Sequence, residues 1–389
     1  MNANANSNPN PDNTAKTFSP GLEGVTACRT RLSEVLGKEG KLILAGHNAV
    51  TLAENNTIEE VWFLLHEGRL PNAAELAAFK AKVEKLGVLP ADEVNLIKKL
   101  RGPEPLSAFR TALSAISNKR GYKPWLNRPV EEVTEEVIAL CALAPAIVEV
   151  LHTGRRPRIK TLNSGYAERY LWGVSGKKPS PEDLRAVETY LILTMDHGLN
   201  ASTFASRVTA STGADVGAAL TSGVATLSGP LHGGAPGPVL DMLDAIGTCE
   251  NADAWVRAQL AAKIPLMGFG HRIYRTDDPR AMTLKRVAER QNGPRIELAK
   301  VTEQAALKAL EEKQIQRAAA ENKPVRTLRV NVEFWTAVAL EHVGIPRNLF
   351  SSTFCVSRII GWGEHIVEQI KDNKIYRPLS QYTGEMPAE

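Results

Sequence analysis

Apolar residues recur along most of the chain at the three- and four-residue spacing of helices that bury one face. This spacing predicts helices over residues 57–66, 73–85, 91–100, 130–151, 238–246, 252–262, 279–291, 295–313, 332–343 and 349–372. A further helix is predicted to begin at Ser180, where a capping serine precedes Pro181 and two acidic residues. Only residues 40–49 have the pattern of a short strand or hairpin. The expected fold class is therefore all-α.

Two stretches depart from this amphipathic pattern. Residues 1–16 are rich in Asn and Pro and have no apolar segment, so we expect a disordered N-terminal tail. Residues 200–227 are rich in Ala, Ser, Thr and Gly. Small side chains let helix backbones approach closely, so we expect tightly packed neighbouring helices there, in one interpretation at a subunit interface.

Composition places the chain among ordinary globular proteins. It has 389 residues, 43% hydrophobic and 23% charged, which is enough for two domains and a large core. The net charge of +4 and the lack of a basic run with interleaved aromatics argue against nucleic acid. No apolar run approaches the roughly 18 residues of a membrane span. The four scattered cysteines indicate no disulfide framework or zinc knuckle, and they fit a cytoplasmic protein.

Residues 267–281, MGFGHRIYRTDDPRA, combine turn formers with several charges. Gly268, Gly270 and Pro279 break helix and strand, and the charges resist burial. The pattern predicts a turn that presents His271 beside guanidinium groups. An imidazole that titrates near neutrality, next to cations that suit carboxylate or phosphate, indicates an acid/base site for an anionic substrate. The alternative is a charged surface loop.

Two other segments carry candidate chemical groups. His232 lies in LSGPLHGGAPGP, on a constrained loop whose glycines let a ligand approach the backbone. The alternative is a core histidine that caps a helix. Glu333, in RVNVEFW, lies among bulky apolar residues that should raise its pKa and make it a candidate general base. Its alternative role is to cap the helix or face solvent.

The segments 196–207 and 357–382 contribute further polar groups. His197 and Arg207 lie near a helix boundary, Arg358 lies within a helix, and Arg377 precedes Pro378 on an extended tail. For either segment taken alone, a solvated helix end is the preferred interpretation.

Taken together, the segments resemble the citrate synthase family. Its blocks GPLHGGA, GFGHR-x-Y-x-x-x-DPRA, N-V-D/E-F, NASTF, R-x-x-GW-x-x-H and R-P stand at residues 229–235, 268–281, 331–334, 200–204, 358–365 and 377–378. The resemblance implies a helical homodimer with a large domain (17–235 and 347–389) and a small domain (236–346) that closes over the substrates. It implies condensation of acetyl-CoA with oxaloacetate and water to citrate and CoA, the entry reaction of the tricarboxylic acid cycle, without cofactor or metal.

The resemblance also assigns roles by position. Glu333 would remove a proton from the acetyl methyl, His232 would hydrogen-bond the thioester oxygen, and His271 would polarise and then protonate the ketone of oxaloacetate. This division is chemically reasonable, because a weakly acidic methyl needs a donor fixed on the developing enolate oxygen.

Substrate contacts follow in the same way. The oxaloacetate carboxylates would be held by one histidine and three arginines, the last from the partner subunit: His197, Arg280, Arg358 and Arg377. CoA would contact a turn and two arginines: Pro265, Leu266, Met267, Gly268, Gly270, Arg272 and Arg275.

The sequence departs from the common family pattern at three places. Glu333 replaces the usual catalytic aspartate, Gly198 replaces an acidic residue, and residues 44–46 read LAG instead of Tyr-Arg-Gly. We interpret Glu333 as a subfamily trait. The longer N-terminal domain of the NADH-inhibited hexameric type is not seen, so a dimer is expected.

Three alternatives remain open at this point. A 2-methylcitrate synthase would use propionyl-CoA, and one extra methylene changes binding by only about 1–3 kcal/mol. His232, His271 and Glu333 would form a His₂Glu metal site in a hydrolase, although no HExxH-like pair is present. A protein that retains the fold but has lost catalysis, through Glu333, would bind both substrates without turnover.

Overall fold

The computed structural model describes residues 18–158, 164–232, 236–270, 274, 276–322, 327–385 and 387. The expected tail at residues 1–16 lies outside them. Sixteen α-helices occupy most of the described chain, which confirms the all-α fold class. They are α1 (Ala49–Asn55), α2 (Ile58–Glu67), α3 (Ala73–Leu86), α4 (Ala91–Lys99), α5 (Pro105–Lys119), α6 (Val130–Thr153), α7 (Tyr166–Ser175), α8 (Pro181–Thr194), α9 (Ala201–Ser211), α10 (Val216–Leu227), α11 (Gly237–Ile246), α12 (Ala252–Ala261), α13 (Pro279–Gln291), α14 (Pro294–Glu321), α15 (Val332–His342) and α16 (Phe350–Lys371). No helix of the described ranges is long and apolar enough to cross a membrane.

A small antiparallel sheet precedes the helices. The predicted hairpin is confirmed as β2 (Lys41–Leu44) and β3 (His47–Asn48), with Leu44 opposite His47. The strand β1 (Ser33–Leu36) pairs with β2 and was not predicted. It has only four residues and no alternation of buried and exposed positions, so the sequence gives little signal for it.

Most predicted helices are confirmed, and their starts are set by capping side chains. Thr57 and Glu60 form a capping box at the start of α2, and Ser180 accepts a hydrogen bond from the backbone N–H of Asp183 at 3.1 Å. Helix α14 continues past its predicted end at residue 313. The added turns are mostly exposed, so intrinsic helix propensity, not an apolar stripe, extends the helix.

Helices α1, α5 and α7 were missed in the sequence analysis. Helix α5 buries Leu106, Phe109, Leu113 and Ile116 at helical spacing, so its pattern was readable. Helix α7 buries two tyrosines and ends at a glycine, Gly176, with φ +73°. Aromatic residues have a low intrinsic helix propensity, so the sequence predicts α7 only weakly and the helix depends on tertiary packing.

Helix α16 runs through the centre of the core, where it packs against α6, α8, α9 and α10. The expected close packing at residues 200–227 is confirmed, since a Cβ on Gly223 of α10 would meet Ser206 of α9 and Trp362 of α16. Polar residues on α16 lie far from water, so they require partners within the protein. Several of these partners lie in the segment that follows α8.

Candidate active site

Residues 194–197, which are the last residue of α8 and the segment that follows it, lie directly on α16. The guanidinium Nε of Arg358 donates to the carbonyl of Thr194 at 2.7 Å. A Cβ on Gly361 would collide with the carbonyl oxygen of Met195, so the two backbones are in close contact. His197, which ends this segment, is only 7% exposed. The solvated interpretation of His197 is therefore wrong, because α16 covers the segment.

Tyr274 connects His197 to Arg280. Its hydroxyl lies 3.2 Å from Nε2 of His197, and the Arg280 guanidinium lies 5.7 Å from the centre of its ring. The sequence analysis gave Tyr274 no role. The available signal was its fixed place in the family block that begins at Gly268.

Arg280 is held by its near neighbour Asp278. The Asp278 carboxylate caps α13 and accepts two hydrogen bonds from Arg280, from Nε at 3.0 Å and from Nη2 at 2.8 Å. Both residues are buried. The premise that the charges of residues 267–281 resist burial is wrong for this pair, because the two opposite charges stabilise each other inside the protein. A charged surface loop is therefore also the wrong interpretation of this end of the segment.

Arg358 places a second guanidinium in the same region. Its side chain is buried, and the guanidinium lies 4.8 Å from the centre of the Phe354 ring. Burial lowers the pKa of Arg358 to about 10, the charge of Asp196 opposes this shift, and the Arg280 cation adds to it. Two buried cations that repel one another form a site that an anionic substrate would stabilise.

Glu333 is the second residue of α15. Asn331 caps that helix by accepting the backbone N–H of Glu333 at 2.9 Å, so the interpretation of Glu333 as the cap is wrong. Burial raises the pKa of the Glu333 carboxyl to about 7, against the opposing Arg280 cation. The predicted upward shift is confirmed. A carboxyl that titrates near neutrality is suited to general base catalysis.

The turn before α13 is docked on the start of α15. Gly268 accepts from the Asn331 N–H at 2.9 Å, and the Gly270 carbonyl accepts from Nδ2 of Asn331 at 3.1 Å. A Cβ on Gly268, at φ +84°, would lie 2.7 Å from Cβ of Phe334. The turn therefore fixes the residue that caps the Glu333 helix. Each carbonyl accepts one hydrogen bond from Asn331 and has a second lone pair, so the contacts of Gly268 and Gly270 with CoA stay a prediction.

His232 follows α10 and contacts the first turn of α9. Its Nε2 lies 3.2 Å from the backbone nitrogen of Ser202 and 2.7 Å from the Ser202 hydroxyl. A backbone N–H can only donate, so Nε2 accepts and the ring proton lies on Nδ1. Burial, with the Arg358 cation, lowers the pKa of His232 to about 4. Asn200 is the cap of α9 and shares the Ser202 N–H with His232, so the interpretation of His232 as the helix cap is not confirmed; the contact leaves a neutral imidazole with an N–H donor.

The remaining predicted residues do not join this group in the described chain. His271, Arg272 and Arg275 lie outside the described residues. Arg377 is exposed on the extended segment after α16, as expected for a tail. Arg207 is buried in the core, so the solvated interpretation is wrong for it as well.

The site contains a base, a neutral donor and two buried cations. Burial moves the pKa of Glu333 up and that of His232 down, which separates the roles of proton acceptor and hydrogen-bond donor. Within the described ranges, no three His, Cys, Asp or Glu side chains are grouped to hold a metal ion. Fold and site together define an all-α protein with a candidate general base, a neutral hydrogen-bond donor and two buried cations that suit an anionic ligand.

Comparison with known proteins identifies the family. Residues 21–379 match the family described as "Citrate synthase, C-terminal domain". The chain is 35% identical to "Citrate synthase 2" of Bacillus subtilis, over 95% of this chain and 96% of that protein. It is 34% identical to a 2-methylcitrate synthase of Mycobacterium tuberculosis, over 94% and 90% of the two chains. The chain belongs to the citrate synthase family, a group of acyltransferases.

A solved structure agrees with this assignment. The citrate synthase of Thermoplasma acidophilum, in a ternary complex with carboxymethyl coenzyme A and oxaloacetate, superposes with a TM-score of 0.83 at 28% identity. The match covers 96% of this chain and 98% of that chain.

Proposed function

We propose that this protein condenses acetyl-CoA with oxaloacetate and water to give citrate and CoA. The observation that carries the proposal is that two buried arginines link the candidate groups: the charge of Arg280 acts on Glu333, whose pKa is raised, and on Arg358, whose charge acts on the neutral His232. The name of the Bacillus relative and the ligands of the Thermoplasma complex support it.

The proposed chemistry begins at the acetyl methyl. The Glu333 carboxylate removes a methyl proton while Nδ1–H of His232 donates to the thioester oxygen, so charge develops against a fixed donor. The enol carbon then bonds to the ketone carbon of oxaloacetate, and His271 supplies the proton to the ketone oxygen. Water finally cleaves the thioester and releases CoA. Acetyl-CoA is a substrate here, and no cofactor takes part.

We assign the binding of oxaloacetate to both parts of the chain. His197 and Arg358 would contact it from the large domain, Arg280 from a small domain that spans residues 236–346, and Arg377 from the partner in a homodimer. The burial of Arg280 and Arg358 and the exposure of Arg377 support this division. CoA would lie along residues 265–268 and 270, with Arg272 and Arg275 near its phosphates. The four free cysteines favour a cytoplasmic location.

The test is thiol release from acetyl-CoA in the presence of oxaloacetate. We expect rapid release that is lost in Glu333→Gln. Glu188→Gln is a matched control, because burial also raises the pKa of Glu188 to about 7, but that carboxyl faces Arg185, Glu59 and Lys80 and not the site. Turnover should survive in this control.

Propionyl-CoA is assayed beside acetyl-CoA, because the Mycobacterium 2-methylcitrate synthase is nearly as similar as the Bacillus relative. Faster release from propionyl-CoA would assign the protein to methylcitrate synthesis. If neither thioester is cleaved while oxaloacetate still binds, the protein is a binding protein and the proposal is wrong.

A further inference from the structure

One face of α16 holds the segment that carries His197. Arg358, Gly361 and His365 recur at helical spacing and contact consecutive residues of that segment. Arg358 donates to the Thr194 carbonyl at 2.7 Å, Gly361 meets the backbone of Met195, and Nε2 of His365 lies 3.2 Å from Oδ2 of Asp196. The last of these contacts is adjacent to His197 in sequence.

His365 has a single tautomer that satisfies its neighbours. Nη1 of Arg207 lies 2.9 Å from Nδ1 of His365, and a guanidinium can only donate. Nδ1 therefore accepts, so Nε2 carries the proton and donates to Asp196. Arg207 is fixed in turn by Glu368 at 2.6 Å and by Gln369 at 3.1 Å. His365 is fully buried in this arrangement.

Asp196 links His365 to the backbone around His197. Its Oδ2 also accepts from the Ser33 hydroxyl, and the Ser33 oxygen accepts from the backbone N–H of Gly198 at 2.9 Å. Both neighbours of His197 are therefore held by this one carboxylate and its partners. Asp196 is fully buried, so few groups can replace a lost donor.

We propose that His365 is a positioning residue for the oxaloacetate half of the site. It does not touch substrate; it fixes Asp196, and through Asp196 it fixes the backbone of His197 and the segment to which Arg358 donates. The inference rests on the proposed function, in which His197 and Arg358 bind oxaloacetate. Glu333 and His232 lie on other segments, so the loss of His365 should affect the acyl-CoA half of the site less than the oxaloacetate half.

The test compares two Michaelis constants in His365→Ala. Loss of a hydrogen bond to a buried carboxylate should raise KM for oxaloacetate about tenfold and change KM for acetyl-CoA by less than about twofold. His365→Gln should recover most of the affinity, because its amide N–H can donate to Asp196. A general loss of stability would not be rescued in this selective way.

His66→Ala is the matched control. His66 pairs with Glu364 at 3.1 Å, and Glu364 precedes His365 on α16 but contacts α2. Thermal stability should fall in this variant without a change in KM for oxaloacetate. Should His365→Ala not fold, Ser33→Ala removes the other donor to Asp196 from a partly exposed strand and predicts the same selective change.

Equal rises in both Michaelis constants, or no rise in either, would overturn the proposal. The same would follow if His66→Ala raised KM for oxaloacetate as much as His365→Ala does. If the wild-type protein shows no turnover, the proposed function is wrong, and the Michaelis constants cannot test the role of His365. Titration calorimetry with oxaloacetate then decides this inference separately: weaker binding in His365→Ala supports it, and unchanged or undetectable binding to both proteins contradicts it.

Discussion

Burial acts on two residues of the site in opposite directions. It disfavours the charged form of each group, so it raises the pKa of the Glu333 carboxyl to about 7 and lowers that of the His232 imidazole to about 4. The glutamate is one methylene longer than the family's usual aspartate, and its shifted pKa suits proton abstraction near neutral pH. The raised pKa also carries a cost in stability, which can be measured.

Glu333→Gln should stabilise the protein at high pH. The ordinary pKa of this carboxyl is 4.5, so the folded state retains a proton that the unfolded chain releases. The protonated carboxyl makes its full contribution to the free energy of unfolding below pH 4.5, and this contribution is lost as the pH rises through about 7. The variant should therefore gain up to about 3 kcal/mol over wild type at pH 8 and little at pH 5.

Urea denaturation at the two pH values measures this difference. The exposed Glu182→Gln serves as control and should show no pH-dependent gain. A gain of equal size at pH 5 and pH 8 would mean that the titration of Glu333 is not its cause.

At the scale of elements, the site is assembled from helix ends. His197 follows α8, Ser202 lies in the first turn of α9, and Arg280 and Glu333 are the second residues of α13 and α15. The capping residues of the last two helices, Asp278 and Asn331, were readable in the sequence as helix starts. Asp278 also holds Arg280, and Asn331 also holds the turn at Gly268. The sequence did not predict these contacts, because they depend on the tertiary structure.

Gly268→Ala should disturb the start of α15. Its φ of +84° strains any side chain, and its Cβ would lie 2.7 Å from Cβ of Phe334. We expect a loss of about 2–4 kcal/mol in stability and a lower kcat, because Phe334 follows the proposed base. Chemical denaturation and the thiol assay measure the two effects.

Gly46→Ala separates the two causes. Gly46 has φ +85°, but no atom lies within 4 Å of its hypothetical Cβ. The Gly46→Ala substitution should lower the free energy of unfolding by only about 1–2 kcal/mol and leave kcat unchanged. Equal effects of the two substitutions would show that backbone strain, and not the contact with Phe334, determines the result.

At the scale of the whole molecule, the sequence predicted the groups of the site better than their partners. Six blocks in family order identified Arg280, Arg358 and Glu333. Contacts between distant segments, such as Ser33 with Asp196, leave no periodic signal, because each side chain alone resembles an ordinary surface residue. Burial of His197 was misjudged for this reason. The division into two domains and the dimer remain predictions about the whole assembly.

Oxaloacetate should make the molecule more compact. Its proposed contacts lie on both sides of the boundaries at residues 236 and 346, so binding must bring the two parts together. Small-angle scattering should show a smaller radius of gyration with oxaloacetate, and Arg358→Gln should show no change. Identical curves for the wild-type protein with and without oxaloacetate would contradict domain closure.

Two inactive variants should complement one another if Arg377 serves the partner's site. When Arg377→Ala and His232→Ala are mixed and reassembled, half of the dimers should be heterodimers. Each heterodimer contains one complete site and one site that lacks both residues. About a quarter of wild-type activity should return. No recovery in a mixture shown to contain heterodimers would place Arg377 in its own subunit's site or outside both.

The contact between His232 and Ser202 has a consequence for how the protein tolerates mutation. One of the donors that sets the imidazole tautomer is a main-chain N–H, and every residue except proline carries that group. Genetic drift at position 202 can remove the hydroxyl and still leave the ring proton on Nδ1. The backbone of α9 therefore helps to keep the proton on Nδ1 of His232 whichever side chain, other than proline, occupies position 202.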